Sequence, residues 1–116
     1  FGDWFATACE LANLSTPAGL DSLSFVPALL SDGRPQPTHE FLYWEFHEGG
    51  FSQATLYQGR WKGLRQGNLN AALALYDLQS DIGEQHDLAA QHPDLVARLE
   101  AYLNTARTDS PDWPAK

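Results

Sequence analysis

The sequence has no methionine, one cysteine and only seven Lys and Arg among its 116 residues. Each shortage excludes something. One thiol, Cys9, rules out an internal disulfide framework and a zinc site built from thiolates alone. Seven basic residues against fifteen acidic ones leave a net charge of −8. That balance argues against a nucleic-acid surface, which needs clustered cations to replace the phosphate counterions. No apolar run approaches the ~18–20 residues a membrane-spanning helix requires. The absence of Met, with Phe1 at the start and no signal segment, leads us to expect a piece of something longer or a processed chain. What is present is core material. Hydrophobic residues make up 43% and aromatics 12%, which excludes a disordered or low-complexity chain. The length suits one ordinary domain or part of a larger one.

The hydrophobic period changes twice along the chain. Trp4, Phe5, Ala8, Leu11 and Ala12 recur at helical spacing, with Asp3 placed to cap the start and Asn13 to Gly19 to end it. A second short apolar segment, Phe25 to Leu30, has Ser24 as its expected cap and Pro27 in its first turn. Ser31 to Thr38, with one Gly and two Pro, is a loop, and a boundary is expected there, dividing 1–37 from 38–116. The middle third then reads as strands. Phe41 to His47 alternates, with Leu42, Trp44 and Phe46 on one face and Phe41, Tyr43, Glu45 and His47 on the other. Further strands are expected over 52–57, 61–65 and 72–78, with Gln58-Gly59-Arg60 as a tight hairpin, giving an antiparallel meander.

The last third is helical. His92-Pro93-Asp94 is a start signal, and Leu95, Val96, Leu99, Tyr102, Leu103 and Ala106 make one apolar stripe ending near Thr108. Residues 110–114 are a tail. The expected class is therefore α+β: a four-stranded antiparallel sheet packed by a long C-terminal helix and preceded by short helices. One helix covers one face. The other must be solvated or docked, and with Trp44, Phe46, Tyr57 and Trp61 available, docking is expected.

Residue chemistry supplies no catalytic constellation. Cys9 has no basic neighbour in Thr7-Ala8-Cys9-Glu10-Leu11 and reads as a small core thiol. His39, His47, His86 and His92 form neither H-E-x-x-H nor an i, i+4 pair, so no metal site is assigned. No serine lies in a G-x-S-x-G setting, and Gly49-Gly50 leads into a strand, not a phosphate-binding helix. Tyr43, Trp44, Tyr57 and Trp61 offer aromatic faces for a sugar or for packing. Arg60, Lys62 and Arg65 are clustered along the third strand, for an anion or for solvent.

Several stretches together resemble the C-terminal end of the sulfatases, arylsulfatase-like members of the alkaline-phosphatase-like superfamily. Leu75-Tyr76-Asp77-Leu78-Gln79-Ser80-Asp81-Ile82-Gly83-Glu84-Gln85-His86-Asp87-Leu88-Ala89 resembles L-Y-D-L-x-x-D-P-x-E-x-x-N-L-A, followed by a helix opening His92-Pro93-Asp94-Leu95. Tyr43-Trp44-Glu45, Gln53-Ala54 and Gly59-Arg60-Trp61-Lys62 resemble the family's Y-W-E, Q-A-[VI]-R and G-x-W-K strands. Upstream, Asp3 to Ala12 is similar to D-x-x-P-T-x-x-E-L-A-G, and Asp21 to Leu30 to D-G-x-S-x-x-P-x-L. Departures are Ile82 for Pro, Asp87 for Asn, Ala6 for Pro, Ser22 for Gly and Leu56 for Arg. In the L-Y-D-L stretch we expect Asp81 to accept backbone N–H bonds, Gly83 to take a left-handed conformation and Leu88 to plug under the helix.

The resemblance implies a C-terminal portion of a sulfuric ester hydrolase, with 1–37 from the edge of its large α/β domain and 38–116 as the smaller subdomain. It implies a formylglycine nucleophile, made in C-x-P-S-R, and a calcium ion held by an N-terminal D-D element and a later D-N pair. Cys9 is followed by Glu10-Leu11-Ala12 and does not match, so both groups are expected outside this chain. The implied partners are the remainder of the sulfatase chain and a sulfated small molecule or glycan, with no nucleic acid and no membrane. His47, Arg60 and Lys62 are the expected substrate contacts, and no catalytic residue is assigned. Family members are often periplasmic, secreted or lysosomal, which assigns no compartment here. The alternative is a stand-alone carbohydrate-binding or protein-interaction domain on the same sheet.

Overall fold

The computed structural model describes residues 2–112 and Pro114, and the expected tail falls partly outside them. They divide into two compact units, Phe1–His39 and Glu40–Lys116. The first holds helices α1 (Trp4–Leu11) and α2 (Val26–Leu30). Ala6 and Thr7 are its buried helical residues on α1, while Trp4, Phe5 and Leu11 are each about half exposed. The expected apolar stripe of α1 thus faces outward. Thr7 is buried because its hydroxyl works for the backbone: Oγ1 donates to the Asp3 carbonyl at 2.7 Å and accepts the Phe25 N–H at 3.1 Å.

Asp3 occupies the cap position without capping. Its Oδ1 instead accepts the Leu23 N–H at 2.9 Å, and His39 Nε2 lies 2.9 Å from the same oxygen. Partial burial pushes the Asp3 carboxyl up, but the Leu23 and His39 bonds outweigh it and hold it below the usual carboxylate range. Ser24 is likewise one residue early: the cap position is Phe25, although Ser24 Oγ accepts the Val26 N–H at 3.2 Å.

The second unit is the α+β arrangement. Strands β1 (Phe41–Phe46), β2 (Phe51–Tyr57), β3 (Trp61–Gly67) and β4 (Ala74–Asp77) form one antiparallel sheet in sequence order. Registers pair Phe41 with Tyr57, Tyr57 with Trp61 and Trp61 with Asp77 across one end. The β2–β3 hairpin turns through Gln58, Gly59 and Arg60, with Gln58 (φ 50°) and Gly59 (φ 67°) both left-handed and the Arg60 N–H donating to the Tyr57 carbonyl at 3.1 Å. Helix α3 (Pro93–Ala106) starts at Pro93 with Asp94 in its first turn and follows a single 3₁₀ turn at Ala89–Gln91.

The core lies between α3 and one sheet face. Leu99 and Leu103 of α3 close on Tyr57, Leu73 and Leu75, with Phe41, Tyr43, Trp61 and Leu88 packed around them. Leu88 therefore sits where the sequence placed it. Phe41 stacks on Tyr102 with ring centroids 4.2 Å apart. Gly63 of β3 lies beside Leu73 and Leu99. A Cβ there would meet Leu73 Cδ2 and Leu99 Cδ1 at 3.1 Å, so helix and sheet approach at the glycine.

Along β2, Phe51, Gln53, Thr55 and Tyr57 are buried and the residues between them are not. The β1 alternation is as expected, yet the covered set is Phe41, Tyr43 and Glu45, leaving Leu42, Trp44 and Phe46 exposed. Tyr57 and Trp61, expected on the docking face, are in the helix-covered core.

Candidate functional site

The segment after β4 is organised by three aspartates acting as acceptors. Asp77 receives Arg60 in a fork, Nε on Oδ1 at 2.9 Å and NH2 on Oδ2 at 2.8 Å, and its Oδ1 also accepts the Gln79 N–H at 3.1 Å. Arg60 leads the causes that lower the Asp77 carboxyl, to about 2 from 3.8. Asp81 Oδ2 accepts the Gln85 and His86 N–H groups at 2.9 and 2.8 Å, the expected turn role, and these two bonds hold its carboxyl below the usual range. Asp87 Oδ1 accepts the Leu75 N–H at 3.0 Å and the Ala89 N–H at 2.8 Å. The left-handed residue in this loop is Glu84 (φ 54°), not Gly83 as the sequence suggested.

That strained backbone carries the Glu84 carboxylate to Lys62, with Nζ 2.6 Å from Oε1. The pair borders a shallow hollow of about 340 Å³ lined by Trp44, Ala54, Leu56 and Leu78. Its walls are apolar and its rim is one compensated charge pair, an arrangement suited to a flat apolar group beside a polar one.

His47 follows β1 at the opposite end of the sheet. Its Nε2 lies 2.6 Å from Glu45 Oε1, and its ring meets Phe51 edge-on with centroids 5.5 Å apart. Glu45 Oε2 accepts the Tyr43 hydroxyl at 2.5 Å and Arg107 Nε at 2.9 Å. Burial pushes the Glu45 carboxyl up, but Tyr43, His47 and Arg107 together hold it below its usual value. The same burial, with the carboxylate beside it, pushes the Tyr43 phenol up to about 12. Gln53 Nε2 donates to the Tyr43 hydroxyl at 3.2 Å, and Arg65 NH1 donates to Gln53 Oε1 at 3.2 Å, so the network continues under α3.

The three expected contact residues do not converge. His47 and the Arg60–Lys62 pair stand at opposite ends of the sheet. Five residue steps at ~3.3 Å put those ends about 17 Å apart. Arg65 leaves the expected basic cluster altogether: it is 6% exposed and pairs with Glu100 at 3.3 Å. The four aromatics do not make one platform either, because Tyr43, Tyr57 and Trp61 pack on the core while Trp44 faces the other way. Cys9 is half-buried on α1. Among the described residues no three of His, Cys, Asp and Glu gather as a metal-holding group. No described helix is long and apolar enough to cross a bilayer.

Sequence reasoning missed the partners: Asp77 for Arg60, Glu84 for Lys62, and Glu45 as the centre of a four-residue network. The i, i+2 spacing of Tyr43, Glu45 and His47 was the available signal for the last, since it puts all three on one face.

The chain matches no protein-family model and no curated protein. Its fold recurs in solved structures. A Bacteroides thetaiotaomicron protein named as a sulfatase superposes with a TM-score of 0.68 at 23% identity, over 95% of this chain and 25% of its own. A second Bacteroides thetaiotaomicron protein, labelled 6S-sulf in connection with the metabolism of multiple glycosaminoglycans, gives 0.67 at 24% identity over 90% and 24%. Another solved structure, of a protein in complex with its substrate D-glucosamine-2-N,6-O-disulfate, gives 0.66 at 17% identity over 85% of this chain and 22% of its own. At these identities the likeness establishes the fold. The chain spans about a quarter of the length of these neighbours.

Proposed function

We propose that this chain is the C-terminal subdomain of a sulfatase, a sulfuric ester hydrolase whose nucleophile and metal ligands lie in the rest of a longer polypeptide. One observation carries the reading: nearly the whole chain shares its fold with about a quarter of proteins that include a named sulfatase. The L-Y-D-L and G-x-W-K stretches support it. In the structure they form one unit, with Arg60 of the second stretch holding Asp77 of the first. In this reading formylglycine and calcium belong to the longer enzyme, and the partner of this subdomain is that enzyme's large α/β part. The substrate class is a sulfated glycan, in line with the disulfated glucosamine bound by one structural neighbour.

His47, Arg60 and Lys62 are the proposed substrate contacts of this subdomain. Because they lie at opposite ends of the sheet, a single small substrate meets one end only. His47→Ala against Arg60→Ala and Lys62→Ala in the longer enzyme separates the ends. The contacting end loses kcat/KM about tenfold or more, the scale of one charged hydrogen bond. Unchanged constants in all three variants would remove these residues from the site.

The reading itself is tested upstream of Phe1. A C-x-P-S-R element and paired aspartates there support it, and sulfate release is then expected from the longer protein and not from the 116 residues alone. A coding sequence that lacks those elements overturns it.

A further inference from the structure

The polar side chains on the covered face of the sheet are hydrogen-bonded in one direction, set by a residue that only donates. Arg65 carries N–H donors and no acceptor. It is buried, and its NH1 donates to Gln53 Oε1 at 3.2 Å. That orients the amide, so Gln53 Nε2 is the donor to the Tyr43 hydroxyl, also at 3.2 Å. The hydroxyl passes its own proton on to Glu45 Oε2 at 2.5 Å. Arg107 Nε, again a donor only, reaches the same oxygen at 2.9 Å. Oε2 is thus taken by two donors, and Oε1 faces His47 Nε2 at 2.6 Å. Burial pushes the Glu45 carboxyl up, but its three donors outweigh that and keep it ionised at neutral pH. An ionised carboxylate only accepts, so the proton between the two sits on Nε2. In the neutral ring Nδ1 is then the acceptor.

The arrangement is stiff. Tyr43, Glu45 and His47 share one face of β1 and its continuation. Glu45 is in register with Gln53, and Gln53 with Arg65, so the row crosses three strands. Turning the carboxylate away from His47 would break the Tyr43 and Arg107 bonds as well. The His47 side chain is 24% exposed, which leaves part of its ring within reach of a ligand.

We propose that Glu45 is a positioning residue: it holds the His47 proton on Nε2, so that neutral His47 meets substrate through Nδ1 as an acceptor and selects a free sugar hydroxyl over a sulfate group at that end of the sheet. The inference rests on the reading above that His47 contacts a sulfated glycan, and it adds which part of the glycan is met. A sulfate oxygen only accepts and has no proton for Nδ1, whereas a hydroxyl donates to it. Discrimination of this kind comes from leaving the acceptor unpaired when the wrong group arrives.

The test is nitrogen NMR of His47 in the 116-residue chain, at a pH where the ring is neutral, for the parent and for Glu45→Gln. A carboxamide has a single oxygen. Tyr43 and Arg107 both donate to the Oε2 position and claim it, so the amide NH2 faces His47 Nε2 and drives the proton to Nδ1. The parent is expected to show Nε2–H and the variant Nδ1–H. A parent with Nδ1–H overturns the proposal, and so does a variant that keeps Nε2–H. Should Glu45→Gln fail to fold, the parent spectrum and Tyr43→Phe decide. Tyr43→Phe keeps the carboxylate and is expected to keep Nε2–H, and a move to Nδ1–H there overturns the proposal. In the longer enzyme, kcat/KM for a glucosamine monosulfate relative to that for para-nitrophenyl sulfate, which has no hydroxyl, is expected to fall about tenfold in Glu45→Gln. An equal loss on both substrates makes Glu45 a structural residue and overturns the selection of a hydroxyl. If the longer protein hydrolyses neither while the spectra are as expected, the control of the His47 tautomer stands and the assigned reaction falls.

Discussion

The helix-covered and open faces of one sheet differ in what they ask of the sequence. Under α3, three of the four buried polar residues of the sheet find partners: Gln53 bridges Tyr43 and Arg65, Arg65 reaches Glu100, and Asp77 grips Arg60, while among the described residues the Thr55 hydroxyl has none. The apolar contribution comes from a compact set, Tyr57, Leu73, Leu75, Leu99 and Leu103. Across the sheet the apolar residues are more continuous, yet no described element of the second unit covers Leu42, Trp44 or Phe46. Apolar content alone therefore does not say which face a helix will take. On the covered face Gly63 leaves the room that Leu99 fills, since a Cβ there would stand 3.1 Å from Leu99 Cδ1.

That contrast can be broken by mutation, beginning with its strongest side. Leu99→Ala, at a position with 0% exposure, is expected to lower the stability of the 116-residue chain by about 2–5 kcal/mol in urea denaturation. A loss below about 1 kcal/mol would mean the helix is not seated as described. Gly63→Ala comes next, at about 1–3 kcal/mol, because its new methyl meets Leu73 and Leu99, which are themselves buried and cannot yield freely. A stabilising alanine would show that helix and sheet have slack between them.

The polar part of the covered face is sharpened by pH. Asp77 has its carboxyl lowered to about 2 from 3.8, so its contribution to stability is complete above about pH 4 and lost as pH falls through 2. Melting curves should show the parent losing stability across that window and Asp77→Asn losing less, from a lower starting point. Identical acid slopes would detach Asp77 from the stability of the loop. The smallest effect belongs to the open face. Trp44→Ser in the short chain should change stability by about 0.5 kcal/mol or less, because its ring is half exposed already.

The elements of the second unit were legible because their signals are local. The β1 alternation, the Gln58-Gly59 hairpin and the Pro93 helix start each depend on a few neighbouring residues, and all three stand in the structure. What failed depends on distant partners. Asp3 had the type and place of a cap, but Leu23 and His39, remote in sequence, took its oxygens. Trp61 was assigned to the open face because an aromatic reads as available surface, whereas its neighbours are the core and the His92 ring, 5.1 Å away. The candidate site was the least legible. Arg60, Lys62 and Arg65 are close in sequence, and strand alternation with a hairpin sends them to three environments.

Asp87 has a consequence for how chains of this kind are recognised. Both of its backbone partners use the same oxygen, Oδ1, an atom that asparagine also carries. The negative charge is incidental to the role, and Asn and Asp are synonyms at this position. Asp77 is the opposite, since Arg60 takes both of its oxygens and only a carboxylate answers. Two aspartates in one loop thus tolerate drift very differently. A search that weighs letters equally penalises the harmless exchange as much as the ruinous one, which is one way a shared fold outlives the sequence similarity that would reveal it.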